Sequence, residues 1–253
     1  MCITIDGKKC ECEKGELLID IAKRNNIKIP TLCHHEALSS LASCRVCIVE
    51  IKRKDGKTQV VVSCVYPIDS ECEVYTNSDR IKKERGIILE LLRLRAPSSQ
   101  TIIDMCKEYG APTYTRLKPI DNEKCIMCGK CAKACKELGA SSISTVNRGT
   151  IKKISTPYDE PNKVCIGCLS CAKVCPTDAI SYEETNDTRT IWGKTFDLIK
   201  CEDCGNIIGT REEIEYATQK SENIDIEYTK YCEDCRRKHV ACVLADVYGI
   251  SDI

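Results

Sequence analysis

Fourteen of the chain's 22 cysteines fall into C-x2-C or C-x3-C spacings, and thiols grouped in this way bind metal. The most regular groups are Cys125-x2-Cys128-x2-Cys131-x3-Cys135 and Cys165-x2-Cys168-x2-Cys171-x3-Cys175. Two zinc sites would pair two C-x2-C knuckles and leave the third cysteine of each run unused. Thiolates at i, i+3 and i+6 on a turning loop instead cap three corners of an iron–sulfur cubane, and the distant fourth cysteine comes from the other run. The expected ligands are Cys125, Cys128, Cys131 and Cys175 for one 4Fe-4S cluster, and Cys165, Cys168, Cys171 and Cys135 for the other. Gly129 and Gly167 are expected to relieve crowding where the backbone passes close to sulfide.

The stretch CHHEALSSLASCRVC, residues 33 to 47, opens a different group, Cys33-x10-Cys44-x2-Cys47-x16-Cys64. Its composition allows a disulfide knot, a zinc site, or a cluster with or without histidine ligands. Plant-type 2Fe-2S ferredoxins use C-x4-C-x2-C and a remote fourth cysteine, so the C-x2-C and the remote partner match while the first loop is longer. Cys33, Cys44, Cys47 and Cys64 are the expected 2Fe-2S ligands. A Rieske centre needs histidine spaced as C-x-H and C-x2-H, whereas His34 follows Cys33 directly and Val46-Cys47 ends the second motif. The histidines are expected to hydrogen-bond near the cluster or to face a partner. In the paired module, Pro176 follows the last cysteine as in bacterial ferredoxins, but Lys136 stands at the equivalent place in the first half.

Cys201-x2-Cys204-Gly205 and Cys232-x2-Cys235 form a zinc-ribbon or rubredoxin-like knuckle pair. Four thiolates closing a tetrahedron describe a structural Zn site, with a single iron or another cluster as the alternative. Between Cys201 and Cys235 ten acidic residues stand against three basic ones, which disfavours contact with nucleic-acid phosphates. The basic run at 236 to 239 reads as a solvated helix face. Cys2, Cys10, Cys12, Cys72, Cys106 and Cys242 remain and read as small core residues.

These ligands need loops held by small modules, because 5% aromatic content with one Trp and one Phe argues against a single large core. The expected class is α+β. Residues 1–77 read as a β-grasp 2Fe-2S domain: a hairpin through Asp6-Gly7, a helix with Leu17, Leu18, Ile21 and Ala22 on one face, a second hairpin around Asp55-Gly56, and a last strand ECEVYT. Residues 78–120 read as a helical linker, its helix presenting Ile81, Ile88, Leu91 and Leu92, followed by a polar connector. Residues 121–185 form a bacterial-type two-cluster 4Fe-4S ferredoxin domain. Its halves CIMCGKCAKAC and CIGCLSCAKVCP align without a gap, each is followed by a short apolar strand (SSIST or AIS), and an exposed hairpin is expected at Asn147-Arg148-Gly149. Residues 186–253 form the zinc-ribbon-like module, with a capping box at Thr210 and Glu213 and a terminal helix from Cys232 to Tyr248.

Composition excludes several function classes. Lys+Arg and Asp+Glu are equal at 38 each, so no overall field recruits nucleic acid or anionic lipid. No apolar run reaches the roughly 18 residues of a membrane span, and no basic-then-apolar leader opens the chain, so a reducing cytoplasmic setting is expected. The 13 glycines contain no G-x-G pair, hence neither a dinucleotide fingerprint nor a P-loop, and no catalytic site is expected on this chain.

IPTLCHHEALSSLASCRVCIVEI, continued through the paired 4Fe-4S module, resembles the start of the large iron–sulfur subunit of respiratory complex I. Over about residues 1 to 185 it is similar also to that subunit's relatives: diaphorase subunits of NAD(P)-linked hydrogenases and formate dehydrogenases, and the amino-terminal part of iron-only hydrogenases. FDLIKCEDCG and YCEDCRRK resemble the small cysteine module ending some of these subunits. The resemblance implies an electron conduit docked on a flavin-bearing NAD(P)H dehydrogenase subunit. Hydrogenase, formate dehydrogenase, ferredoxin or a second flavin subunit would stand on the other side, as in electron-bifurcating assemblies. The chain also departs from that family. An additional cluster held by one histidine and three cysteines usually lies between the two modules, yet residues 97 to 118 offer only Cys106 and no histidine, so its absence is expected. No following hydrogenase domain is expected, and neither is hydrogen chemistry on this chain. Electrons must then pass directly from the 2Fe-2S domain to the ferredoxin module, or through another subunit. A free-standing polyferredoxin carrier and an iron–sulfur redox sensor with a binding ribbon are the competing readings, the second opposed by the acidic ribbon.

Overall fold

The computed structural model describes residues 1–221 and 229–248, so residues 222–228 and 249–253 of the expected 186–253 module lie outside the described ones. The chain begins with a hairpin of β1 (Cys2–Ile5) and β2 (Lys8–Glu11). Its two-residue turn places Asp6 at φ 48° and Gly7 at φ 85°, the left-handed pair such a turn needs to match strand twist. Helix α1 (Leu18–Arg24) follows, then β3 (Ile48–Arg53), β4 (Thr58–Val62) and β5 (Cys72–Tyr75). The sheet order is β2-β1-β5-β3-β4, with β1 and β5 parallel and the other pairs antiparallel. Alternate residues point one way, so Ile3, Ile5, Val49, Ile51 and Val74 share a core with Leu18 and Ile21 of α1.

The linker holds two helices rather than one. Helix α2 (Asp79–Arg95) is capped by Ser78, whose hydroxyl accepts from Ile81 N–H, and α3 (Gln100–Glu108) packs back on it. Three of the four expected residues do face inward: Ile81 is buried and Ile88 and Leu92 pack against the core, whereas Leu91 is half exposed. Arg85 and Leu89 join Ile81 in a buried row at i, i+4, i+8, so an arginine occupies the place where the apolar pattern breaks.

In the paired module α4 (Lys130–Leu138) and α5 (Ser170–Lys173) each start at the third cysteine of a run, and they lie against one another. The hairpin around Asn147 is formed by β6 (Ser144–Val146) and β7 (Lys153–Ser155). After the second half the apolar AIS segment is not itself a strand; β8 (Tyr182–Glu184) begins one residue later and pairs with β9 (Thr188–Ile191). With β10 (Lys194–Lys200) and β11 (Ile207–Thr210) these strands make a second sheet in the order β11-β10-β9-β8. Thr210 caps α6 (Arg211–Lys220) by accepting from Glu213 N–H at 3.1 Å, and α7 (Glu233–Tyr248) begins within the last knuckle.

Candidate metal centres

Cys33 and Cys44 sit on the loop between α1 and β3, Cys47 enters β3, and Cys64 lies in a short turn after β4; all four are buried. The two ends of the set are tied together by Ser63, which donates through N–H (3.1 Å) and hydroxyl (2.9 Å) to the Cys47 carbonyl. The Cys44 N–H lies 3.5 Å from Cys33 Sγ. The sulfurs are close enough to share protons: contact with Cys64 holds the Cys47 thiol down at about 6, and contacts with Cys44 and Cys64 lower Cys33. Contact with the same neighbouring sulfurs raises Cys44 and Cys64, so four sulfurs converge where a cationic centre would favour four thiolates. His34 Nδ1 pairs with Ser40 Oγ at 3.1 Å and His35 Nδ1 accepts from Ala37 N–H at 3.2 Å, so both rings are engaged within their own loop.

Arg85 supports this site from α2. Fully buried, its guanidinium donates to the carbonyls of Val46 (3.0 Å), Ile48 (2.8 Å) and Thr76 (3.0 Å) and to Asn77 Oδ1 (3.0 Å). The two carbonyls flanking Cys47 are thus fixed by one side chain, and burial lowers the Arg85 pKa.

The paired runs line two cavities. One, of about 210 Å³, is walled by Cys125, Cys128, Cys131 and Cys175; the other is walled by Cys135, Cys165, Cys168 and Cys171. Three cysteines of each come from one run and the fourth from the other. The two loops have the same backbone. Met127 (φ 55°) matches Gly167 (φ 70°), and Gly129 (φ 81°) matches Leu169 (φ 58°), so each run has two left-handed positions and places its glycine at a different one. Such turns aim N–H groups at sulfur: Met127 N–H lies 3.4 Å from Cys125 Sγ, Ser142 N–H 3.1 Å from Cys135 Sγ and Ala179 N–H 3.3 Å from Cys175 Sγ. Burial pushes the Cys131 thiol up to about 12 and Cys171 up to about 11, so ionised sulfur there requires a cationic partner. Ser142, buried beside Cys135 and Cys165, turns its hydroxyl to the Cys165 thiol and counters the rise that burial gives that thiol. Convergent sulfurs, inward N–H donors and a hydroxyl turned to sulfur all fit a sulfide-bearing cluster.

The first and second sites touch. Ser43, next to Cys44, donates its hydroxyl to the Cys128 carbonyl at 2.9 Å across 85 residues of sequence, and Leu41 lies against Gly129. On the far side the second sheet grips the other run: Lys194 Nζ donates to the Cys165 carbonyl (2.8 Å), Thr210 Oγ1 to Ile166 O (2.5 Å) and Arg189 Nη1 to Gly167 O (2.9 Å). Three successive carbonyls, turned outward by the loop, are satisfied by side chains from three strands.

Cys201 follows β10, Cys204 precedes β11, and Cys232 and Cys235 lie at the start of α7. Their sulfurs lie within 4.8 Å of one another, with Cys204 and Cys232 3.6 Å apart. A tetrahedron with metal–sulfur bonds of about 2.3 Å has edges of about 3.8 Å, so the set is closed to fit one tetrahedral ion. Burial opposes ionisation of Cys201, yet backbone N–H groups led by that of Cys232 (3.3 Å) hold its thiol down at about 6. His239 Nε2 reaches Asp203 Oδ2 at 2.7 Å and its ring meets Tyr231 edge-on at 4.6 Å, bracing the two knuckles.

Arg85, Ser43, Lys194, Arg189 and Trp192 were not signalled by the cysteine spacing. Arg85 is legible only as a polar interruption in an apolar helix face, and Trp192 only as the chain's one tryptophan, beside a turn glycine.

Two families match the chain. Residues 1–79 match a family described as a 2Fe-2S iron-sulfur cluster binding domain, and residues 119–182 match one described as a 4Fe-4S dicluster domain. The NADP-reducing hydrogenase subunit HndD of Solidesulfovibrio fructosivorans is 33% identical over 186 residues, covering 62% of this chain and 31% of that protein. The NADPH-Fe(3+) oxidoreductase subunit alpha of Geobacter sulfurreducens is 32% identical over 61% of this chain and 21% of its own length. The NADH-ubiquinone oxidoreductase 75 kDa subunit of Reclinomonas americana is 28% identical over 61% and 25%. The matched region thus spans between about a fifth and a third of these relatives. Among solved structures an NAD+-reducing [NiFe]-hydrogenase in the H2-reduced state shares the fold, with a TM-score of 0.57 at 20% identity over 70% of this chain and 85% of that one. The chain therefore carries 2Fe-2S and 4Fe-4S ferredoxin-type domains and is homologous to iron–sulfur subunits of NAD(P)-linked oxidoreductases.

Proposed function

We propose that this relative of complex I and hydrogenase iron–sulfur subunits is the electron-transfer subunit of a multi-subunit, flavin-dependent NAD(P)H-linked oxidoreductase. Cys33, Cys44, Cys47 and Cys64 would hold a 2Fe-2S cluster, the two four-cysteine cavities a 4Fe-4S cluster each, and Cys201, Cys204, Cys232 and Cys235 a Zn²⁺. When bound, each iron–sulfur cluster supplies a one-electron redox centre whose potential is set by hydrogen bonds to sulfur, charge and exposure. The observation that carries this reading is the sorting of eight cysteines from two runs into two cavities of four, each with one ligand exchanged between runs.

The chain's own residues link the sites. Ser43 joins the 2Fe-2S loop to the backbone at Cys128, which favours direct communication between the two modules over a route through another subunit. Helices α2 and α3 stand between the two modules, and their apolar faces pack under both loops with Leu32, Val46 and Ile126. A subunit of a complex is favoured over a free carrier by α7, where Val240, Val243, Leu244 and Val247 are all about half exposed or more among the described residues. A flavoprotein that oxidises NAD(P)H is the proposed partner on one side, with a further redox subunit or ferredoxin on the other, in the cytoplasm. Anaerobic purification from native cells tests this: equimolar co-purification of a flavoprotein is expected, and a lone monomer carrying clusters would overturn the subunit assignment. No helix among the described residues is long and apolar enough to cross a membrane.

A further inference from the structure

Trp192 belongs to no cysteine motif and lies beyond the matched dicluster residues 119–182, yet it lines both four-cysteine cavities. It occupies the first position of the two-residue turn between β9 and β10, at φ 53°, followed by Gly193 at φ 73°. A bulky residue in the left-handed region is uncommon, and the strain there costs about 1 kcal/mol or more, so the surrounding contacts must over-determine the conformation. Those contacts are specific. The indole Nε1–H donates to Cys171 Sγ at 3.5 Å, and the ring packs with Leu169, Ile180 and Ile191. The neighbouring Lys194 anchors the turn to the Cys165 carbonyl at 2.8 Å. An indole can only donate, and the sulfur is the acceptor that its part-buried N–H has.

We infer that Trp192 is a positioning residue shared by the two 4Fe-4S sites: its N–H raises the reduction potential of the cluster at Cys171, and its ring forms a common wall that keeps water from both. A donor to cysteine sulfur stabilises the more negative, reduced state more than the oxidised one, and this donor reaches a sulfur of only one of the two sites. The carboxy-terminal sheet thereby acts on the redox sites and is not merely appended to them. The inference rests on the cluster assignment proposed above.

The test uses the full chain, reconstituted with iron and sulfide without oxygen and titrated electrochemically under EPR. Trp192→Phe keeps the ring and removes the donor. It is expected to lower the reduction equilibrium constant of one 4Fe-4S cluster by about threefold to tenfold, a tenfold change being about 59 mV for one electron, and to leave the other unchanged. Trp192→Leu removes the wall and is expected to make both clusters bleach faster in the presence of a chelator, whereas Trp192→Phe bleaches like wild type. Unchanged midpoints in Trp192→Phe, or an equal shift of both clusters, would overturn the donor role. Unchanged bleaching in Trp192→Leu would overturn the wall. Wild-type protein with no 4Fe-4S signals would instead overturn the cluster assignment itself, so the two failures are distinguishable.

Discussion

Cys135 and Cys175 are the residues on which the paired module turns, because each closes a cavity built mainly by the other run. Sequence proximity would group Cys175 with Cys165, Cys168 and Cys171. The cavity predicts otherwise: Cys175→Ser should alter the same EPR signal as Cys125→Ser, while Cys135→Ser should follow Cys165→Ser. The reverse pairing would refute the exchange. Arg85 is the residue most easily misread. Its guanidinium is spent on three carbonyls and Asn77, with those of Val46 and Ile48 flanking Cys47. Arg85→Met leaves these acceptors buried and unpaired at roughly 1–3 kcal/mol apiece, so a loss of about 3 kcal/mol or more is expected in denaturant unfolding. Arg85→Lys should recover part of it, and an unchanged midpoint in Arg85→Met would show that the carbonyls find other donors.

At the scale of elements, much was legible because spacing dictates it. The i, i+3, i+6 cysteines require a turning loop, the alternation in CITI and CIVEI requires strands with one buried face, and Thr210 with Glu213 signals a helix start. The place of Arg85 in the inner face of α2 and the strands after residue 181 were not legible. Arg85 breaks the apolar period that marks a buried face, and β8 (YEE) is exposed along its length, so no alternation marks it. The glycines were legible as needed but not in their places. Gly129 and Gly167 occupy different members of two left-handed positions, and Leu169 and Met127 show that a side chain is tolerated at each. Space therefore decides the cost. A Cβ at Gly167 would meet Phe196 and Thr210 at 2.9 Å, whereas at Gly129 it would meet only Leu41 at an ordinary 3.6 Å. Gly167→Ala should destabilise by more than the 1–2 kcal/mol of left-handed strain, and Gly129→Ala by about that much only, in paired thermal unfolding measurements. Equal losses would mean that the second sheet yields to the new methyl.

At the scale of the whole molecule, the four sites form a chain of supports. The Cys33–Cys47 loop rests on the first run through Ser43, each run lends one cysteine to the other's cavity, and the second run is gripped by strands whose connection carries Cys201 and Cys204. A metal held by Cys201, Cys204, Cys232 and Cys235 fixes the β10–β11 connection and, through Lys194 and Thr210, the Cys165 loop. A zinc chelator that removes this ion while iron is retained should make the cluster at Cys165 the first to bleach. Simultaneous or reversed loss would uncouple the knuckles from the redox sites. The central claim, that sixteen cysteines serve inorganic centres of which three carry electrons, is tested most directly by Mössbauer spectroscopy and metal analysis of anaerobically isolated protein. About ten iron atoms per chain are predicted, two in a 2Fe-2S signal and the remainder in 4Fe-4S signals, with about one zinc. A colourless, iron-free sample, or sulfurs found joined in disulfides, would contradict the account.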